Sequence, residues 1–336
     1  MSGDSASHLL VLVGLVTERN QVSKRKALRI LLLLGVTAAA AANPKRVERR
    51  FTVRPPTTMV LGIIAAMFAS ALLALVAPAP ASAAVPGYEF KPGGTAFNSD
   101  TFKKLEVSCP SGKRAISSGF ALIGAEGNVA LTAQRISATK ATITATEDQD
   151  GTTANWRISG GVLCANPLPG LEYKPGPASV TSNSVSQSTA DCTPGKQLIG
   201  YGVELDPAFP LFGQVSIASL GFGSTGVFAT DFEDQDGGAG NRRLLVTAVC
   251  ANPLPGYKIL PGQGSQVSSN AVRFDTARCA TGDKSLAAGW TATGGGQTLI
   301  TSVNTGELGA DTGASEDDDG YEPTWQLRSS IICVTG

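Results

Sequence analysis

The 336-residue chain predicts an all-β fold: three pseudo-equivalent antiparallel repeats around a shared core, over residues 84–336. Three observations carry the prediction. One template recurs three times: Cys-x-x-Gly, about 38 residues, Asp-Gly, then a closing Cys fourteen residues after that Asp. Short β-rich runs alternate between turn signals, and amphipathic helical stretches are missing. The copies run Cys109 to Cys164, Cys192 to Cys250 and Cys279 to Cys333, with separations of 55, 58 and 54. Self-similarity of this kind sets an architecture before any local assignment is made.

Residues 1–83 read as an export segment. Val60 to Ala77 is an apolar run, preceded by Arg49, Arg50 and Arg54 and followed by Ala81-Ser82-Ala83. A basic flank, an apolar stretch and a small-x-small end make a secretory signal over about residues 53–83, cleaved after Ala83. The alternative is an uncleaved membrane anchor through residues 60–77, close to spanning length. Residues 1–52 are long for an ordinary signal, so a translation start downstream, at Val53 for example, is an open expectation.

The repeats then span 84–168, 169–254 and 255–336. Each opens on Pro-Gly-x-x-x-x-Pro-Gly, at Pro86, Pro169 and Pro255. Each continues through a Cys-x-x-Gly turn into a strand interrupted by Gly119, Gly202 or Gly289, where glycine marks a bulge or the close approach of another backbone. An acidic Asp-Gly segment follows, expected as a hairpin turn. The closing strands alternate: Trp156, Ile158, Val162 and Cys164 share one face, as do Arg242, Leu244, Val246, Ala248 and Cys250, and Trp325, Leu327, Ile331 and Cys333. Period two turns each set toward a core.

All six cysteines follow the export segment, two per copy, as an oxidising compartment allows. Threefold recurrence leaves two pairings. Each copy closes on itself (Cys109 with Cys164, Cys192 with Cys250, Cys279 with Cys333), or neighbours join as Cys164–Cys192 and Cys250–Cys279, with Cys109–Cys333 closing a ring. Pairing within copies is favoured, because antiparallel neighbours bring such strand positions to bonding distance. A loop of about 55 residues then contributes on the order of 4 kcal/mol in the chain-entropy model. Two architectures fit: sheets sharing one core, which is favoured, or three β-sandwich beads joined at Ala165–Gly170 and Ala251–Gly256.

Charge and residue absences exclude function classes. Residues 1–83 hold ten Lys and Arg against three Asp and Glu; residues 84–336 hold 17 against 24. An acidic exported portion argues against nucleic-acid and anionic-membrane partners, leaving membrane contact only through an uncleaved signal. The single histidine is His8, so residues 84–336 hold no Ser-His-Asp triad, Cys-His pair, histidine-ligated zinc or histidine base. With the cysteines oxidised, thiolate catalysis goes too.

The acidic segments are the candidate site: Glu147, Asp148 and Asp150; Glu233, Asp234 and Asp236; Glu316, Asp317 and Asp319. Carboxylates beside a glycine suit a hard cation, and calcium is the natural ion outside a cell. They do not form an EF-hand, since Arg157, Arg243 and Gln326 stand where its last acidic ligand belongs. Solvated turns are the favoured alternative, and a glycosidase acid/base pair would require different copies to converge. Trp156, Trp325 and Trp290, with Tyr88, Tyr173, Tyr257 and Tyr321, suit sugar stacking; core positions are expected for Trp156 and Trp325, with Arg242 capping the core in the second copy. Lys113 and Lys196, replaced by Asp283 in the third copy, read as strand ends.

Cys-x-x-Gly, an aliphatic residue, Gly-aromatic, then Asp-Gly…Asn-x-Arg…Cys resembles the threefold β-prism of vitelline membrane outer layer proteins. Asn155 and Arg157, and Asn241 and Arg243, occupy the Asn-x-Arg positions; the third copy has Thr324 and Gln326. The pattern is also similar to Cys-pair β repeats of secreted bacterial proteins. The first resemblance implies an extracellular structural or glycan-associated role, without catalytic residues to carry over. Together these features predict a secreted, non-catalytic structural or binding protein without a required cofactor, whose partner is a surface glycan or an extracellular protein. A calcium-dependent module using the acidic turns is the alternative, and a carboxylate glycoside hydrolase the third.

Overall fold

A computed structural model describes residues 85–336, except 125, 207, 209–213, 239, 270 and 322. Residues 1–84, with the expected export segment and the run 60–77, lie outside the described residues. Among those described, no helix is long and apolar enough to cross a membrane.

The first repeat forms β1 (Glu89–Gly94), β2 (Phe102–Ser108), β3 (Arg114–Ile123), β4 (Val129–Ile136), β5 (Lys140–Glu147) and β6 (Arg157–Ala165). The second forms β7 (Glu172–Pro175), β8 (Ser179–Thr181), β9 (Val185–Asp191), β10 (Gln197–Leu205), β11 (Val215–Phe222), β12 (Gly226–Glu233) and β13 (Arg242–Ala251). The third forms β14 (Lys258–Pro261), β15 (Val272–Arg278), β16 (Asp283–Ala292), β17 (Thr298–Gly306), β18 (Gly309–Glu316) and β19 (Leu327–Thr335).

These strands build three antiparallel sheets, and each sheet draws on two repeats. The first is ordered β1-β6-β3-β17-β18-β15; the second β2-β5-β4-β10-β13-β7, with β8 also beside β13; the third β14-β19-β16-β11-β12-β9. The fold is all-β, as the alternation predicts. Independent sandwich beads do not occur, because no repeat closes a sheet of its own and one apolar cluster takes residues from all three.

The seams explain the recurrent glycines. At β3–β17 a Cβ on Gly119 would stand 2.8 Å from the Val303 carbonyl oxygen; at β10–β4 one on Gly202 would stand 2.9 Å from the Ile136 amide nitrogen; at β16–β11 one on Gly289 would stand 2.5 Å from the Leu220 carbonyl oxygen. No side chain fits where one repeat's backbone presses on the next. Earlier in the same strands, Ile116, Ile199 and Leu286 sit at β-bulges and are fully buried. A bulge re-aims the strand, and here it recurs at the same place in each copy.

Tyrosines tie the repeats in a cycle. Tyr88 Oη donates to the Ser285 carbonyl at 2.9 Å, Tyr173 Oη to Ala115 at 2.7 Å, and Tyr257 Oη to Leu198 at 2.8 Å. The three acceptors are equivalent, each six residues after the first Cys of its copy. In the second repeat Leu171 occupies the place of Tyr88 and Tyr257. Tyr173, two residues further along, reaches the same carbonyl. These side chains therefore link repeats rather than merely covering sheet edges.

Disulfides join Cys109 to Cys164, Cys192 to Cys250 and Cys279 to Cys333, with Cα atoms 5.7, 5.8 and 5.7 Å apart. Each copy closes on itself, the ring pairing does not form, and three such bonds place the chain in an oxidising environment. The strand-end lysines pair with carboxylates: Lys113 with Glu89, and Lys196 with Glu172. In the third copy both signs reverse, and Lys258 faces Asp283 at 3.8 Å. Conservation of pairing with inverted charge identifies these positions as structural.

Candidate functional site

The acidic segments are crossovers rather than hairpins. Each leaves an edge-side strand of one sheet (β5, β12 or β18) and enters a strand of another (β6, β13 or β19), with its Asp-Gly glycine at positive φ: 67° at Gly151, 65° at Gly237 and 80° at Gly320. Because the repeats interlock, all three crossovers meet at one end of the molecule. Gln149 Nε2 of the first donates to Asp236 Oδ2 of the second at 2.7 Å, and Gln235 of the second donates to Asp319 of the third. Gln297, in a 3-10 turn before β17, donates in turn to the Gln235 side-chain oxygen.

Each residue of the segment has its own task. Glu147 Oε1 accepts from the Trp156 indole at 3.0 Å, Glu316 Oε1 from Trp325 at 2.8 Å, and Glu233 Oε1 from Arg242 at 2.6 Å. These glutamates are spent inward. Trp156, Trp290 and Trp325 are buried, as is Arg242, so none of the tryptophans offers a sugar-stacking face. Outside the indoles lie cations: Lys103 Nζ at 4.7 Å from the Trp156 ring centre and the Arg273 guanidinium at 5.0 Å from that of Trp325. In the second repeat Ser186 replaces the cation and Arg242 the indole; Asp231, fully buried, accepts from Arg242 Nε at 2.9 Å.

Asp148 and Asp234 cap their own turns, accepting from the Gly151 amide at 3.0 Å and the Gly237 amide at 3.1 Å. They and Asp317 line a cavity of about 10 Å³, room for a single water. Burial, and then mutual repulsion among the carboxylates, pushes these groups up. Asp148 rises to about 6, with Asp318 and Asp150 adding to it; Asp234 to about 6, with Asp236 and Asp319; Asp317 to about 7, with Asp319, Asp318 and Asp234. Asp150, at a tip, is raised by desolvation and then by Asp318, Asp319 and Asp236. One oxygen each of Asp148 and Asp317 is buried without a hydrogen-bond partner.

Among the described residues, Asp150, Asp318 and Asp319 bring carboxylate oxygens within 4.8 Å of one another, all three exposed. Asp150 and Asp319 are predicted site residues; Asp318 is the one missed. It occupies the position of Gln149 and Gln235, so departure from the repeat was the available signal. Asp236 stands at the same end, bonded to Gln149. The copies therefore converge, as an acid/base pair would need. No protein-family model and no curated protein matches the chain.

Proposed function

We propose that this is an exported, disulfide-stapled scaffold that acts by binding or by structure rather than by catalysis, with a surface glycan or an extracellular protein as its partner. The observation that carries the reading is the interlock. Three sheets are each shared between two repeats, all six cysteines are paired within their copies, and residues 84–336 hold no histidine. Such a frame holds a surface rigidly and leaves neither thiolate nor imidazole for chemistry. The test is reducing-end release from a polysaccharide panel by the purified oxidised protein and by Asp150→Asn, Asp236→Asn and Asp319→Asn. Release by the parent that any of these variants abolishes would overturn the reading.

A second reading, a calcium-dependent module, is favoured by the convergence of Asp150, Asp318 and Asp319 from two crossovers. Calcium would offset the repulsion that raises Asp148, Asp234 and Asp317, and would compete there with protons. Thermal melts with calcium and with chelator decide it: an unchanged midpoint removes the cation.

A further inference from the structure

The three repeats can be compared position by position at their seams, because equivalent strands meet there in each sheet. At each seam an outward-facing row crosses the sheet beside the seam glycine. In the third sheet this row is filled by the protein's own aromatic ring, since Phe228 pairs with Gly221 and lies where a side chain at Gly221 would stand. In the second sheet Thr142 pairs with Arg135, Arg135 is neutralised by Glu204 at 2.9 Å, and a cleft of about 280 Å³ at this row is lined by the charged groups of Glu106, Arg135 and Lys140 and has no aromatic wall. In the first sheet the row is open. Asp311 pairs with Asn304 and Gly119 with Gly161, and a cleft of about 390 Å³ lies over Gly119.

The walls of that cleft have two characters. Phe90, whose ring covers Gly161, is 40% exposed, and Leu308 on the opposite wall is 48% exposed. Around the rim stand Asn304, exposed and without a side-chain hydrogen bond among the described residues, and the Arg278–Asp311 pair at 2.6 Å. A pair of opposite charges leaves the rim neutral overall, which disfavours phosphate or carboxylate ligands. The volume falls at the lower end of small-molecule sites, about 300–1,000 Å³. A flat object with one apolar face and a hydroxylated edge matches the aromatic wall, the side-chain-free floor and the amide, carboxylate and guanidinium groups together.

We propose that this cleft seats one neutral pyranose ring of a polysaccharide, its face against Phe90 and the Gly119 backbone and its hydroxyls on Asn304, Asp311 and Arg278. The proposal rests on the binding reading above and gives it a site. Its openness suits a chain passing across the sheet. None of the cleft's polar side chains is required by the scaffold, because Gly221, Phe228 and Asp191 hold the places of Asn304, Asp311 and Arg278 in the third sheet.

The test is affinity electrophoresis of the purified oxidised protein through gels containing hydroxyethyl cellulose, soluble β-1,3-glucan, xylan, mannan or polygalacturonate. Retardation by at least one of the four neutral polymers is expected, weakened about fivefold or more in Asn304→Ala and in Asp311→Ala. Their melting temperatures should stay unchanged, since both side chains are exposed. Phe90→Ala should weaken retardation as well. Retardation that survives both rim variants would overturn the cleft while leaving glycan binding intact elsewhere. Retardation by none of the neutral polymers, or by polygalacturonate alone, would also overturn it; the non-catalytic reading then still stands on its own reducing-end assay.

Discussion

Arg242→Ala is the perturbation whose size follows most directly from the structure. Asp231 is fully buried and accepts from the Ser186 amide at 3.0 Å, from Ser186 Oγ at 2.9 Å and from Arg242 Nε at 2.9 Å. The same guanidinium holds Glu233 Oε1 at 2.6 Å. Truncating Arg242 strands one buried carboxylate and orphans a second, a change that costs about 3–5 kcal/mol. For a chain of this size that lowers the melting temperature by about 6–20 °C at neutral pH. Burial already raises the Asp231 carboxyl, and loss of its cation raises it further. A carboxyl raised further in the folded variant loses its contribution to stability over a pH range reaching higher than in the parent, so the deficit is larger at neutral pH than at pH 4. The first repeat supplies the rescue, since Lys103 and Ala145 pair across β2–β5 where Ser186 and Asp231 pair across β9–β12. Arg242→Trp with Asp231→Ala and Ser186→Lys rebuilds the indole, glutamate and cation of repeat one and should recover most of the loss. Calorimetry across pH 4–8 is the assay. A drop below about 3 °C for Arg242→Ala, or a triple variant no more stable than the single, would refute the reasoning.

Three further outcomes are expected. Asp148, Asp234 and Asp317 titrate at about 6, 6 and 7 in the folded protein, above their unfolded values. Their contribution is therefore fully present below about pH 4 and is lost as pH rises through about 6 to 7. After solvent screening this amounts to about 2–4 °C between pH 5 and pH 8; Asn at all three positions should flatten it, and an increase in parent melting temperature over that range would contradict the sign. Replacing Cys279 and Cys333 together by Ser opens a loop with a sequence separation of 54, and should lower stability by on the order of 4 kcal/mol in denaturant titrations. Tyr88→Phe and Tyr257→Phe each remove one inter-repeat hydrogen bond and should each cost about 1 kcal/mol. The double variant should come out additive, because the bonds lie at different seams.

Much of the fold was legible because its constraints are local and repeated. Alternation at Trp156, Ile158, Val162 and Cys164 placed a core face correctly, since period two leaves a strand no other choice. Recurrence of Gly119, Gly202 and Gly289 announced a close backbone approach, which proved to be the seam between repeats. Of the site, the identity of the acidic turns was visible but not their meeting, and Asp318 was not among the candidates named. The hairpin expected at Asp-Gly failed because turn chemistry specifies a reversal of the chain and says nothing about which sheet receives the next strand.

Composition and periodicity thus settled the all-β class, the two cysteine pairings left to choose between and the exclusion of histidine chemistry, all properties of residues and their spacing. The exchange of strands between repeats, the gathering of three acidic crossovers at one end and the reach of Tyr173 to the Ala115 carbonyl arise from pairings between residues far apart in the chain. Departures from the template, such as Asp283 and Arg242, were readable one at a time. Their partners Lys258 and Asp231 were not, because a compensating charge is chosen by proximity in space and leaves no fixed spacing along the sequence.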